Sequence, residues 1–384
     1  MDNASVGTGN VTNRVSITIE LDMFDTIIGL WVPGLLGVFG IVGNALSLWV
    51  LSRDRGRSAT MTSLKALAAS DLVLLTGALG QQVVPLTCDL AHSTDEFCAR
   101  QGYLQVYAWP VVCTAQTATI WLTVLISTER YVAICAPLRA GGRVGVGKVR
   151  LAIVVIALTS VVFNVPRFFE YRPQTAVVRV GDVDVLRVEL RDTDLRQDSV
   201  YRYLYSRRRR AGRYLYNTAL FGIVMYAAPL STVAALNIRL TGAVTTARRN
   251  WSALNSTQKR ELRATVLPLV IVLVFAVCGT VSLLGFVLDA VYAFAVDEFP
   301  RWLQQFSAVA NVLVIFNSAA NFVLMLCFGA KFRQMLRQAL PDCCSCCCCC
   351  SCSCRCCHDN NSGNTSVAGS VKSLRLRNVR ATPL

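Results

Sequence analysis

Seven stretches of this chain are apolar for about the length of a bilayer crossing, and no soluble fold buries so many. They run over 24–52, 61–87, 100–134, 149–169, 214–240, 264–294 and 300–328. A hydrocarbon core about 30 Å thick takes about 20 helical residues. Inside it every backbone N–H and C=O must find a partner within its own segment, which selects helices. The expectation is an all-α bundle of seven crossing helices. The second run is the least apolar, with Asp71 in its middle, and the second and third overrun the bilayer and should project from it. Charged residues make up only 16% of the chain, against about 25% in soluble domains. The flank from Met1 to Met23 is polar and lacks an early basic cluster and a cleavage site, so no signal peptide is expected there.

Orientation follows from Lys and Arg close to the ends of the runs. Arg53, Arg55 and Arg57 follow the first run, Arg139, Arg143 and Lys148 the third, and Arg248, Arg249, Lys259 and Arg260 the fifth. The alternate loops carry Asp89, Asp95, Glu96, Asp297 and Glu298. The N-terminus is therefore expected outside the cell and the C-terminus inside. Asn3 and Asn10 head glycosylation acceptor patterns on the outer side, whereas those at Asn250 and Asn255 fall inside and should stay bare. The long outer loop after the fourth run carries four arginines, Arg207 to Arg210. A solvated charge run, a protease processing site and an anion site all remain open for them. Within the same loop "TAVVRV" and "VLRVEL" flank Gly181 to Asp184 and alternate with period two, as in an outer β-hairpin. The net charge of +15 gives no reason to expect nucleic acid, since basic cytosolic loops meet anionic lipid.

Polar groups within a crossing are costly and are functional candidates by default. Asn44, Asp71, Thr119, Asn317, Ser318 and Asn321 stand out. One carboxylate with amide and hydroxyl neighbours describes a hydrated cation or proton site, although separate helix–helix hydrogen bonds would use the same residues. At the inner end of the third run lies Glu129-Arg130-Tyr131, and Glu261 opens the sixth. An arginine held by acids on two helices would be a breakable latch, and an arginine at the boundary can also simply snorkel. A transporter needs several deep ionisable groups or broken helices in repeated halves, and neither is visible. The only histidines, His92 and His358, lie outside the runs, so no catalytic constellation forms and an enzyme is not expected.

Asn44, the segment from Leu67 to Asp71, Glu129-Arg130-Tyr131, Pro229 and Asn321 occur in order, one set per expected span. Together they resemble the signature positions of rhodopsin-like G-protein-coupled receptors, over about residues 24–340. The stretches "AQTATIWLTVLISTERYVAIC", "NVPRFFEY", Asn237 and "FGAKFR" resemble more narrowly the invertebrate FMRFamide-receptor group and its orphan relatives. The resemblance implies a plasma-membrane receptor for an extracellular ligand, probed first as a short peptide ending in an amidated Arg-Phe, that activates a heterotrimeric G protein. It implies that Arg130, with Glu129, Tyr131 and Glu261, engages the partner, that Ile120, Pro229 and Phe275 repack on activation, and that Asp71, Thr119, Asn317, Ser318 and Asn321 line an allosteric sodium pocket. No other cofactor is implied. The outer acids available to a cationic peptide are Glu170, Asp289, Asp297 and Glu298. "FGAKFRQML" resembles a short amphipathic eighth helix with Phe328 and Phe332 facing lipid.

The chain departs from that pattern in its outer disulfide and in spans six and seven. No Cys stands between Gly102 and Val112 or between Gly141 and Val277, so the usual bond from span three to the second outer loop cannot form; Cys88 and Cys98 bracket a short outer loop and can pair locally. Span seven has no Lys for a retinal Schiff base, and Val112 takes the place of the acid a biogenic-amine receptor would need. Gly279 stands where the resemblance expects a tryptophan, Val281 where it expects a kink proline, and Asn321-Phe322-Val323-Leu324-Met325 where it expects Asn-Pro-x-x-Tyr. Those changes favour an alternative, a receptor-like protein that signals little or constitutively and acts as a scavenger or heteromer partner.

The expected organisation is an outer segment (1–23), the receptor bundle (24–328), an amphipathic helix (329–340) and a cytoplasmic tail (341–384). The tail opens on Cys343–Cys357, eleven of whose fifteen residues are Cys. Juxtamembrane thiols after an amphipathic helix are the usual setting for palmitoylation, expected at Cys343, Cys344, Cys346 and Cys347. A thiolate metal site and a repeat expansion without function are the competing readings. Beyond the tract, Ser366, Ser370 and Ser373 are candidate phosphorylation sites for arrestin.

Overall fold

A computed structural model of the protein describes residues 23–54, 58–91, 95–135, 145–169, 171–180, 183–192, 220–250, 252, 255–295 and 300–339. The sites expected at Asn3, Asn10, Glu170, Asp297, Glu298 and Cys343–Cys357 lie outside these residues. Seven of its helices are long and apolar enough to cross a membrane. They are α1 (Ile27–Ser52), α2 (Ala59–Cys88), α3 (Glu96–Cys135), α4 (Val146–Phe169), α5 (Ile223–Arg249), α6 (Ser256–Ala295) and α7 (Arg301–Phe328). A shorter α8 (Ala330–Ala339) follows.

Several helices outrun their apolar runs, because a helix continues into water when its ends are satisfied. α3 and α6 each have 40 residues, about 60 Å at 1.5 Å per residue. The inner start of α6 is set by a capping box that hydropathy does not register. The Gln258 N–H donates to Asn255 Oδ1 at 2.9 Å, and the Asn255 N–H donates to Gln258 Oε1 at 3.1 Å. The Asn255 side chain is thus engaged as a helix cap.

Proline shapes several of the helices. Wide π-type turns occur at Ile27–Trp31, Leu79–Val83 and Ile223–Ala227, and each is followed two residues later by a proline: Pro33, Pro85 and Pro229. A proline lacks its N–H and its ring crowds the carbonyl four residues back; widening the preceding turn relieves both, as π-bulges do. Pro110 and Pro268 sit within the long helices α3 and α6. α7 contains no proline.

α3 is the axis of the bundle and α4 its edge. In their most apolar windows 61% of α3 is buried but only 11% of α4, which turns Leu151, Leu158 and Val162 outward, as a lipid-facing helix should. The inner core joins Leu51, Leu64, Leu67, Ile126, Leu267, Ile271 and Met325 with Phe332 of α8. Phe332 is 1% exposed, which corrects the expectation that it faces lipid; Phe328 does remain exposed. The reason is Phe322, the residue standing in for the expected proline. It meets Phe332 edge-on at 6.3 Å and Phe39 of α1 at 6.4 Å. Gly43 makes room for it: a Cβ at that position would lie 2.8 Å from the Phe322 Cβ. α8 is held further by Lys331 Nζ, 3.1 Å from Asp54 Oδ1. Arg333 Nη1 donates to the terminal carbonyls of α7 at Leu326 (2.9 Å) and Cys327 (2.6 Å), supplying donors that helix ends lack.

The segment between α4 and α5 contains two antiparallel strands, β1 (Tyr171–Val180) and β2 (Val183–Asp192), in register from Tyr171 opposite Asp192 to Val180 opposite Val183. Val183 and Asp184 therefore belong to a strand and not to the turn the sequence pattern assigns them. β2 lies directly on α3 at Gly102, where a Cβ would stand 1.9 Å from the Val188 carbonyl oxygen. Only glycine permits that approach, and here backbone packing joins loop to helix where no disulfide can.

Cys88 and Cys98 are joined by a disulfide that links the outer ends of α2 and α3. Closing so short a loop contributes roughly 2–3 kcal/mol in the chain-entropy model. A Cys88→Ser, Cys98→Ser double variant should therefore unfold at a lower temperature in nanodiscs, and the wild type should fall to the same value under reductant. Unchanged melting of the variant would contradict a stabilising role.

Candidate functional site

The site is built at three depths along α3. At mid-depth Asp71 is fully buried. It accepts from Asn321 Nδ2 at 2.7 Å and from Thr119 Oγ1 at 3.1 Å, joining α2, α3 and α7. Ser70 Oγ lies 3.1 Å from Thr119 Oγ1 and donates to the Ala115 carbonyl at 2.9 Å. Asn44 Nδ2 donates to the Ser318 carbonyl at 3.0 Å and to the Gly40 carbonyl at 2.9 Å, tying α1 to α7. The Ser318 hydroxyl faces Asp71 without completing a hydrogen bond, and Asn44 Oδ1 is also buried without a partner. Of the five residues expected around a sodium ion, four gather here. Asn317 makes no bond to Asp71 and lines a cavity above it. A hard cation takes oxygen ligands, and a carboxylate with Thr119 Oγ1, Ser318 Oγ and a spare amide oxygen fits that requirement.

Next to this layer, toward α5 and α6, Ile120 and Phe275 pack in one apolar cluster with Val124, Met225, Val233 and Val272. Pro229 is buried one turn beyond Met225. Asn237 spends its amide on its own helix, donating to the Val233 carbonyl at 2.7 Å. At the inner end Glu129 and Arg130 are both buried and both turn toward α2. Glu129 accepts from the Ser63 hydroxyl, and Arg130 donates to Thr60 Oγ1. Tyr131 is half-buried beside them. The side chain of Glu261 lies outside the described features, and the partners recorded for this pair are α2 hydroxyls that the sequence did not single out.

At the outer end Asp289 of α6 receives the Ser307 hydroxyl of α7, 3.0 Å from each carboxylate oxygen. Arg167 is buried at the end of α4, its guanidinium 4.8 Å from the ring of Phe221, just ahead of α5. Among the intramembrane amides that the sequence reading did not single out, two border the site. Asn164 donates to Thr117 Oγ1 at 2.9 Å, fastening α4 to α3, and Gln116 lines the same cavity as Asn317. The signal that flagged the other amides was present at both.

Seven crossing helices with a buried acid at mid-depth and an arginine at the inner end of the third define a multi-pass membrane protein of the receptor type. The model of the rhodopsin family of seven-transmembrane receptors matches residues 43–324, and the chain belongs to that family. Its members are receptors and not enzymes. The chain is 30% identical over 316 residues to the FMRFamide receptor of Drosophila melanogaster, a match covering 80% of this chain and 53% of that receptor. It is 31% identical over 313 residues to the FMRFamide peptide receptor frpr-18 of Caenorhabditis elegans, covering 80% and 68% respectively. A shorter match, 37% over 123 residues, joins it to the growth hormone secretagogue receptor type 1 of Sus scrofa, covering 32% of this chain and 31% of that receptor. The chain thus spans about half the length of the Drosophila relative.

Proposed function

We propose that this protein is a plasma-membrane receptor for a short extracellular peptide, of the amidated Arg-Phe type, and that it activates a heterotrimeric G protein. The N-terminus is outside and the C-terminus inside. The observation that carries the reading is the similarity along 80% of the chain to two proteins named for FMRFamide. Glu170, Asp289, Asp297 and Glu298 are the acids offered to the peptide's cation, and at Asp289 the cation competes with Ser307. Asp71 with Thr119, Ser318 and Asn321 holds a sodium ion in the inactive state. Activation carries the inner end of α6 away from α3, with the weak point a proline introduces at Pro268 and not at Val281. Arg130 then leaves Thr60 and meets the G protein. The acylated tract from Cys343 anchors the inner end in lipid, and the tail beyond it recruits arrestin once phosphorylated. Asn3 and Asn10 carry the glycans.

The second reading, a receptor-like protein that signals little or constitutively, is favoured by one observation. Phe322, wedged between Phe39 and Phe332, braces the part of α7 where a proline would have weakened the helix. One experiment separates the two. Cells expressing the full chain and a G-protein dissociation sensor are challenged with a library of amidated and free-acid peptides. Concentration-dependent dissociation by Arg-Phe-amide peptides is the expected result. Silence across the library, or high basal dissociation that no peptide alters, would favour the second reading.

A further inference from the structure

α8 spends its apolar face on the bundle. Phe332 and Ala339 are buried, and Met335 and Leu336 between them pack against the inner core. These positions fall at i, i+3, i+4 and i+7, one stripe of a helix. A helix held by the membrane surface alone would turn that stripe to lipid. Here the stripe is already covered by protein. Two polar anchors fasten α8 to its neighbours in the chain fold: Lys331 reaches Asp54, just beyond α1, and Arg333 caps the carbonyls that end α7. The third anchor, Phe332, reaches further.

The Phe332 ring belongs to the cluster that contains Leu267 and Ile271 of α6 and Met325 of α7. Gly329, at the junction of α7 and α8, shows how closely these parts meet. A Cβ there would stand 3.1 Å from the Phe332 Cβ, 3.3 Å from Leu267 Cδ2 and 2.5 Å from the Met325 carbonyl oxygen. A residue without a side chain lets α6 come that near. Phe322 meets the Phe332 ring edge-on, and is itself set by Phe39 and by the space at Gly43. Leu267 immediately precedes Pro268, where α6 is weakened. A swing of the inner segment about Pro268 therefore turns Leu267 out of the cluster and exposes apolar surface, which opposes the swing. We propose that docked α8 is an autoinhibitory contact: Phe332, positioned by Phe322, packs with Leu267 and holds the inner end of α6 in the resting arrangement. The consequence for signalling rests on the G-protein reading above, to which the contact adds the element that restrains α6.

The test uses the full chain in nanodiscs. Spin-labelled non-natural residues replace Arg150 of α4 and Ala264 of α6, both exposed, so that the native thiols stay untouched. The distances between the labels report the inner end of α6 with no ligand or partner present. Phe332→Leu and Phe322→Leu should each raise the ratio of open to resting distances by about two- to tenfold, the worth of the edge-on ring pair they share. Leu267→Ala should raise it from the α6 side. Because Phe332 and Leu267 act through one contact, the double variant should fall short of the product of the two effects. Melting reports whether each variant folds, and Phe332→Met replaces Phe332→Leu if that variant does not. Unchanged distances in all three variants, or full multiplication in the double variant, would overturn the contact. Nucleotide exchange on an added G-protein heterotrimer is a separate measurement. Distances that widen without a rise in basal exchange leave the contact standing and remove the G-protein reading. Exchange driven by peptide, with distances that ignore every variant, removes the contact and leaves the receptor reading standing.

Discussion

Arg130→Ala is expected to abolish ligand-stimulated nucleotide exchange while the protein still reaches the cell surface. The guanidinium is buried at the inner end of α3 and held by Thr60, whereas Glu129 has its own partner in Ser63. Removing Arg130 leaves Glu129 its Ser63 bond but takes away the positive charge beside it. A lost bond from a charged donor costs about 1.5–3 kcal/mol, enough to reduce the amount at the surface but not to eliminate it. Thr60→Val makes the complementary case. It removes one of the bonds that hold Arg130 and leaves the guanidinium in place, so exchange without ligand should rise. Guanine-nucleotide binding to membranes, normalised to surface protein, reads both variants. Wild-type exchange by Arg130→Ala would remove Arg130 from the coupling step, and unchanged basal exchange by Thr60→Val would remove Thr60 as its restraint.

Asp71→Asn should erase a sodium effect that the wild type shows. A cation that prefers the inactive arrangement must lose affinity when agonist binds, and by reciprocity it lowers agonist affinity. Couplings of about 1–3 kcal/mol correspond to roughly 5- to 150-fold, so replacing sodium by a bulky organic cation should tighten agonist binding within that range. Asn at position 71 keeps an acceptor for Thr119, 3.1 Å away in the wild type, but carries no charge to hold the ion. The variant should bind agonist equally in both salts. A wild-type receptor indifferent to sodium would sink the cation site, and the Thr119 and Asn321 bonds would then be structural links between α2, α3 and α7. Asp71→Leu separates these roles. It strands both donors in the interior, at about 1–3 kcal/mol each, and should lower the melting temperature as well.

Seven crossings were legible in the sequence because lipid imposes one rule on every residue of a span, and a rule that acts position by position can be read without the fold. The acid at Asp71, the Glu129-Arg130 pair and the family resemblance were legible for a related reason: a polar group is conspicuous in an apolar run. The capping box at Asn255 and Gln258 was equally local, but its two polar residues stood outside the runs that drew the reading. What the sequence could not supply was direction. Asn317 and Ser318 are neighbours that both border the central cavity, yet only Ser318 also reaches Asp71, since adjacent helical positions differ by about a quarter turn. Phe332 belongs to an amphipathic stripe that fits a membrane surface, yet it is buried, because Phe322 from a residue pair ten positions earlier offers it a ring and Gly43 on α1 leaves Phe322 the space. Glu129 and Arg130 turn to Thr60 and Ser63 across some seventy residues of chain. Hydropathy fixes which residues enter the membrane; which face of each helix meets which neighbour depends on contacts distant in sequence, and only the packed bundle decides them.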